Sequence, residues 1–197
     1  MTTAPRTTWY DVRMKNDPAH QPITWELLQQ EVIFHKYSQT IVRRDFRQPN
    51  DAIADYYIRI QKSGACVLGI TPDNKVLTVT QFRPGPMRIL RELPGGQIDD
   101  TETAQTTAVR ELLEETGYAG ELVDWSGSWE TDAYTQCDRT VVIVKNCRKV
   151  AEPQMDSHEF GIVEAIDMEA FIVHARSGQL SDTAGALLAL DHLGLLR

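Results

Sequence analysis

Three glutamates at helical spacing constrain this chain more than any other feature of its sequence. Glu111, Glu114 and Glu115 stand at positions i, i+3 and i+4 of segment 102–116, whose apolar residues also follow a helical pattern. Thr101 is predicted to cap the start of this helix and Gly117 to end it. The three carboxylates then share one face, where each like-charge pair costs roughly 3 kcal/mol at about 5 Å and an effective dielectric of about 20.

The residues around these glutamates favour a bound divalent cation over a solvated acidic face, which the spacing alone also allows. A hard cation takes oxygen ligands and turns the repulsion into attraction. Gly95 and Gly96 follow Pro94, and glycine lets a backbone approach a metal or phosphate closely and offer a carbonyl as a ligand. Arg110 can fix a carboxylate by a two-pronged hydrogen bond.

The spacing from Gly96 to Tyr118 resembles the Nudix box, G-x5-E-x7-R-E-U-x-E-E-x-G-U, where U is aliphatic. Its fixed positions are filled by Gly96, Glu102, Arg110, Glu111, Glu114, Glu115 and Gly117, with Leu112 at the first U. Tyr118 takes the last U position, and we expect it to pack as an aliphatic residue would. The resemblance implies an α/β fold, the Nudix-type α/β/α sandwich with a mixed β-sheet and a loop–helix–loop metal site.

The resemblance also implies roles for the residues of the box, with Mg²⁺ or Mn²⁺ as the cofactor. The implied metal ligands are oxygen atoms of Glu111 and Glu115, assisted by Glu114 and the Gly95 carbonyl. Arg110 would orient Glu111, and Glu102 would help to hold the loop–helix geometry. A metal in such a site neutralises a diphosphate, activates water and stabilises the leaving oxygen.

Segments outside the box are similar to the ADP-ribose pyrophosphatase branch of this family. Residues 79–83 resemble its strand ending in Q-x-R, 91–96 its entry to the box, and 178–190 its closing turn and helix. The resemblance implies that Arg83 contacts a substrate phosphate or ribose and that Glu92 hydrogen-bonds Arg83 or supports the metals. A plain surface ion pair between the two is the alternative.

Two further site residues are expected with alternatives open. Phe46 can stack on a nucleobase, although packing within a strand is the more usual role of an aromatic residue there. The branch often supplies a general base from a later acidic loop, which makes Glu159 the first candidate and Asp156 the second; an ordinary solvated loop is the alternative. The branch also often carries a proline near the position of Asp132, and this chain has none there.

The chain of 197 residues is predicted to divide into an arm, a small subdomain and one catalytic domain. The arm, 1–22, is expected to be flexible; 23–62 forms an N-terminal β-rich subdomain, and 63–197 the Nudix catalytic domain. Members of the branch often pair through N-terminal strands, so the resemblance implies a homodimer.

The alternation of apolar and polar residues predicts strands on both sides of the acidic helix and two helices near the end. The predicted strands are 31–35, 39–46, 55–61, 64–71, 75–82, 122–129, 140–146 and 161–166, and the later helices are 168–177 and 182–194. The turn residues at 72–74 predict that 64–71 and 75–82 pair with each other.

Composition excludes several other classes of function. The net charge of −8 argues against a nucleic-acid partner, which would need a basic surface. No apolar run reaches the roughly 20 residues that span a bilayer, and no secretory signal is recognised, so we expect a cytoplasmic protein. Cys66, Cys137 and Cys147 are expected to be free thiols.

These observations favour Mg²⁺-dependent hydrolysis of ADP-ribose, a small-molecule nucleotide sugar, to AMP and ribose 5-phosphate. GDP-mannose and other nucleotide sugars stay open, as does a damaged nucleoside triphosphate. A Nudix domain that senses nucleotides without turnover is a hypothesis of another class, and an acidic helix without any metal is a further one.

Overall fold

The computed structural model describes residues 22–154 and 160–196. Its strands are β1 (Glu26–Lys36), β2 (Gln39–Arg47), β3 (Ile53–Ile60), β4 (Gly64–Gly69), β5 (Lys75–Arg83), β6 (Arg88–Glu92), β7 (Gly95–Gln97), β8 (Tyr118–Glu130), β9 (Thr135–Gln136), β10 (Asp138–Lys149) and β11 (Ile162–Asp167). Its helices are α1 (Ala104–Thr116), α2 (Met168–Arg176) and α3 (Thr183–His192). The arm expected over 1–22 lies outside the described residues, except for Pro22.

The core is built on both faces of a mixed sheet whose strand order is β7-β4-β10-β8. Strands β4 and β10 are parallel neighbours at its centre, and successive side chains of a strand point to opposite faces. Ala65 and Val67 therefore pack with Leu112 of α1, whereas Cys66 and Leu68 pack in the cluster that contains residues of α2 and α3. Helices cover both faces, which confirms the predicted α/β/α sandwich.

The remaining strands form two further sheets. One has the order β11-β5-β6, and the N-terminal one has the order β1-β2-β3-β9. The predicted pairing of 64–71 with 75–82 is wrong, since only the isolated bridge between Ile70 and Val76 joins them. Strand β4 is flanked by β7 and β10, and β5 by β6 and β11. The turn at 72–74 therefore passes the chain from one sheet to another.

Helix α1 begins slightly later than predicted and ends where predicted. Its cap is Thr103 rather than Thr101, because the Thr103 hydroxyl accepts a hydrogen bond of 3.1 Å from the Thr106 N–H. Gly117 ends the helix at a positive φ of 75°, and its N–H donates to the Leu113 carbonyl at 2.8 Å. Tyr118 packs, partly buried, against the cluster that includes Leu112, as expected for the last box position.

One short strand from later in the chain completes the N-terminal sheet. Strand β9 lies between β8 and β10 in sequence and pairs in parallel with β3, with Arg59 opposite Thr135. At the other edge of this sheet, all residues of β1 are exposed. The division of the chain into an N-terminal subdomain and a catalytic domain stays a prediction.

The three cysteines are buried free thiols, as predicted. Burial raises the pKa of the Cys147 thiol to about 11, and burial also raises the pKa of Cys66. In the part of the chain that the structure describes, no helix has the length and apolar character needed to cross a membrane.

Candidate active site

A polar cleft of about 540 Å³ brings together most of the residues that the sequence singles out. It is lined by Arg83, Gly95, Gly96, Gln97, Asp99, Arg110, Glu111, Glu114, Glu115, Arg139 and Gln154. The expected metal ligands and Arg83 therefore share one cleft. Glu92 and Phe46 are not among the described residues that line it.

The buried carboxylate of Glu115 is fixed by the backbone of the box entry. Glu115 is only 4% exposed, and its Oε2 accepts a hydrogen bond of 2.9 Å from the Gly95 N–H. A side chain on Gly95 would collide with β4, because a Cβ there would lie 2.3 Å from the Ala65 carbonyl oxygen. Glycine at position 95 thus permits β7 to approach β4 closely enough to meet the helix carboxylate.

Gly96 leaves the space that the Glu111 carboxylate occupies. A Cβ on Gly96 would lie 2.1 Å from Oε1 of Glu111, so any other residue there would displace this carboxylate. Carboxylate oxygens from α1 and the backbone of Gly95 and Gly96 consequently line the same space. This set of oxygen donors fits a hard divalent cation.

Arg110 joins the loop before α1 to the helix itself. Its Nε and Nη2 donate to the two oxygens of Glu102, each at 3.0 Å, and Thr107 donates to the same carboxylate at 2.7 Å. The hydrogen bonds from Arg110 and then from Thr107 hold the pKa of Glu102 below its ordinary value. The bond to Glu102 is the largest cause that raises the pKa of Arg110, so the guanidinium stays charged.

The same guanidinium offsets part of the repulsion between the helix carboxylates. Its Nη1 lies 3.0 Å from Oε1 of Glu111 and 2.7 Å from Oε2 of Glu114. Within the described residues, no three His, Cys, Asp or Glu side chains are gathered as a ready cluster of metal ligands. Arg110 and the Gly95 N–H are partners of these carboxylates, and a cation would compete with them.

Arg83 and Glu92 form an ion pair between the neighbouring strands β5 and β6. Nε of Arg83 donates to Oε2 of Glu92 at 2.5 Å. The Glu92 side chain is 4% exposed and that of Arg83 is 41% exposed. The pair is therefore not a fully exposed surface contact: a buried carboxylate orients an arginine whose other end lines the cleft.

Phe46 lies in an aromatic cluster of the N-terminal sheet. Its ring centroid is 6.2 Å from that of Trp25 and 5.9 Å from that of Tyr56. Tyr56 in turn stacks on Tyr134, from the segment between β8 and β9, at 6.3 Å. Contact between Phe46 and a substrate stays a prediction.

The two candidates for the general base, Glu159 and Asp156, lie outside the described residues, and their role stays a prediction. Gln154, just before that segment, lines the cleft. Its N–H donates to the Glu114 carbonyl at 2.6 Å, which joins the chain after β10 to the acidic helix.

Arg139 is a cleft residue that the sequence reasoning missed. It stands near the start of β10, and its Nη2 donates to Oδ1 of Asp182 at 2.8 Å, just before α3. Burial, the largest single cause, lowers the pKa of Arg139, but the attraction and the hydrogen bond of Asp182, with smaller contributions from Cys66 and Cys137, together leave this pKa raised. An arginine two residues before the apolar run 141–144 was the available signal, since a charge entering a core strand needs a partner.

The fold and the cleft define an α/β/α sandwich protein with an acidic helix beside a polar cleft. The family model of the NUDIX domain matches residues 61–183, more than half of the chain, and the chain belongs to the Nudix family. It is a Nudix hydrolase, and hydrolases of this family generally use a divalent metal.

Several proteins are similar to this chain. The ADP-ribose pyrophosphatase of Bacillus subtilis (strain 168) is 28% identical over 153 residues, covering 77% of this chain and 82% of that protein. The ADP-sugar pyrophosphatase of Mus musculus is 41% identical over 70 residues, 35% of this chain and 32% of that protein. A methanol dehydrogenase activator of Bacillus methanolicus is 34% identical over 87 residues, which cover 44% of this chain and 47% of that protein. This match therefore spans less than half the length of that protein.

The crystal structure of an ADP compounds hydrolase has the same fold. It superposes with a TM-score of 0.71 at 14% identity, covering 90% of this chain and all (100%) of that one. At this identity the likeness extends to the fold alone.

Proposed function

We propose that this Nudix hydrolase cleaves the phosphoanhydride bond of a nucleoside diphosphate sugar, with ADP-ribose giving AMP and ribose 5-phosphate. The observation that carries the proposal is the composition of the cleft, where the carboxylates of α1 face the same space as Arg83 and Arg139. Carboxylates hold divalent cations and arginines bind phosphate oxygens, and a diphosphate substrate needs both. The relatives named for ADP-ribose and ADP sugars favour an ADP compound among such substrates.

The metal ligands in this proposal are Glu111, Glu115 and the Gly95 carbonyl, with Glu114 assisting. A bound Mg²⁺ or Mn²⁺ would supply charge neutralisation of the diphosphate and activation of water. Through its two hydrogen bonds to Glu102, Arg110 keeps the site assembled. Its Nη1 contacts both Glu111 and Glu114, and a cation would compete with this contact. Arg110 thus steadies the carboxylates before a metal binds.

Other residues of the chain position the substrate and move the proton. Arg83, oriented by the buried carboxylate of Glu92, binds a phosphate or the ribose. Glu159 accepts the proton of the attacking water in this proposal, with Asp156 as the second candidate. Phe46 contributes a stacking surface for the base.

The test is a substrate screen that separates substrate class from metal dependence. The protein is incubated with ADP-ribose, GDP-mannose, UDP-glucose, NADH, diadenosine polyphosphates and 8-oxo-dGTP, each with Mg²⁺ and with EDTA, and the products are separated by chromatography. The expected result is Mg²⁺-dependent formation of AMP and ribose 5-phosphate from ADP-ribose. Cleavage of triphosphates alone, or of nothing, would refute the nucleotide-sugar assignment.

We also propose that the protein forms a homodimer through the N-terminal sheet. Strand β1 is an edge strand of 11 residues, and its side chains Leu27, Val32 and Phe34 are each at least half exposed. A long apolar edge strand favours association with another chain, because that chain can hydrogen-bond the unpaired backbone groups and bury the apolar side chains.

A further inference from the structure

A row of three residues across the central sheet leads from the acidic box to Arg139. Gln97 of β7 lies opposite Gly64 of β4, and Gly64 lies opposite Arg139 of β10. Neighbours in such a row project to the same face of a sheet. Gln97 and Arg139 both line the cleft, so the row forms part of its wall.

The absence of a side chain at Gly64 admits the guanidinium of Arg139 to this wall. A Cβ on Gly64 would lie only 2.1 Å from Nη1 of Arg139 and 3.1 Å from the Gly96 carbonyl oxygen. The arginine side chain therefore extends across β4 towards the backbone that enters the acidic box. A methyl group at position 64 would force this flexible side chain to move.

Asp182 fixes the guanidinium from the other side. Nη2 of Arg139 donates to Oδ1 of Asp182 at 2.8 Å, and the two side chains are 25% and 13% exposed. An arginine carries several N–H donors in a planar arrangement, so one bond to a carboxylate leaves others for a second anion. Asp182 thereby orients the guanidinium while it remains accessible from the cleft.

Arg139 differs in this respect from Arg110, another arginine of the cleft. Nε, Nη1 and Nη2 of Arg110 are all bonded to glutamates of the box. Arg110 is therefore committed to the protein's own carboxylates. The cleft is rich in carboxylates within a chain of net charge −8, so an anionic ligand depends on cations elsewhere in its wall.

We propose that Arg139 is a substrate-binding residue that contacts a phosphate of the diphosphate, oriented by Asp182 and admitted by Gly64. The inference deepens the proposed function and rests on it. It adds a positively charged side chain to the recognition of the phosphates, and this side chain lies outside the box and outside the strand that carries Arg83.

The test compares four variants. Arg139→Met removes the charge and keeps most of the length; Arg139→Lys keeps the charge. Gly64→Ala keeps Arg139 but displaces its guanidinium. Arg91→Met is the matched control, because Arg91 is 33% exposed and bonded to Glu164 at 2.9 Å yet is not among the described cleft residues.

Two measurements are made on each folded variant with Mg²⁺ present: KM and kcat with the substrate found in the screen, and binding of ADP by calorimetry. We expect Arg139→Met to raise KM about 10- to 100-fold, which corresponds to loss of a charged hydrogen bond, with a smaller change in kcat. Gly64→Ala should also raise KM, and Arg139→Lys should raise KM less than Arg139→Met does. Arg91→Met should have the KM of the unaltered protein. ADP affinity should follow the same order.

Other results would overturn the inference. A folded Arg139→Met protein with unaltered KM and ADP affinity, even if it melts earlier, would mean that the pair with Asp182 only secures α3. If Arg139→Met does not fold, Gly64→Ala and Arg139→Lys decide by the same criterion. If no nucleotide sugar is cleaved but ADP binding still depends on Arg139, the proposed function fails and the phosphate contact stands. If the unaltered protein neither cleaves a nucleotide sugar nor binds ADP, the phosphate contact is refuted as well.

Discussion

Arg110 and Glu102 form a two-pronged ion pair, with both nitrogen–oxygen distances 3.0 Å, across the turn where helix α1 begins. The pair joins the loop between β7 and α1 to the helix face that carries the glutamates. Glu102 thus acts on the site from a distance, because it determines where the guanidinium beside Glu111 and Glu114 lies.

The stabilising contribution of the Glu102 carboxylate is lost in acid. Its pKa is lowered in the folded state by Arg110 and then by Thr107, so its contribution is complete above the unfolded-state pKa and is lost as the pH falls through the folded-state pKa. Glu102→Gln should therefore lower Tm at neutral pH, and the difference from the unaltered protein should shrink below about pH 4.5. Thermal melts over this range measure the effect.

The control for this prediction is Glu121→Gln, which alters an exposed carboxylate whose described partner is the neutral amide of Asn146. A constant difference in Tm between the Glu102→Gln and unaltered proteins at all pH values would contradict the assigned cause.

Glu115→Gln should nearly abolish turnover and leave the fold intact. Glutamine has the same shape and can still accept the hydrogen bond from Gly95, but it lacks the charge that a metal ligand supplies. We expect kcat to fall by more than the roughly 10- to 100-fold typical of residues that only support metal ligands. Circular dichroism checks the fold, and exposed Glu169 on α2 provides the control substitution. Full activity in a folded Glu115→Gln protein would exclude a metal-ligand role.

The acidic helix and its immediate surroundings were predictable because they depend on local geometry. Helical spacing alone places Glu111, Glu114 and Glu115 on one face, and the requirement for a positive φ explains glycine at position 117. The cap was misplaced by two residues, at Thr101 instead of Thr103, since several threonines in this segment satisfy the same rule.

Contacts between distant segments were not predictable in the same way. The turn at 72–74 suggested a local hairpin, but β4 pairs with β7 and with β10, and β10 is far along the chain. Arg139 was missed for the same reason: its place in the cleft depends on Gly64, opposite it in that parallel pairing, and on Asp182. No spacing rule links these three positions.

Gly117→Ala should destabilise the protein more than Gly178→Ala. Both glycines have a positive φ, 75° and 72°, and alanine in that conformation costs about 1–2 kcal/mol. A Cβ on Gly178 meets nothing within 4 Å, whereas a Cβ on Gly117 would lie 2.2 Å from the Ala151 carbonyl oxygen. The free energy of unfolding from urea titrations measures both, and the difference between them isolates the clash. Equal losses would mean that the chain after β10 moves away at no cost.

Val32→Lys should convert a dimer into a monomer without loss of fold. Val32 lies on the edge strand β1 and is 58% exposed, so a charge there costs the isolated chain little but would be buried without a partner in a strand-mediated interface. Light scattering coupled to size exclusion gives the mass of each protein. Val173→Lys, at a 70% exposed position on α2, is the control and should leave the mass unchanged. An unaltered protein that elutes as a monomer at all concentrations would refute the dimer, and a Val32→Lys dimer would place its interface elsewhere.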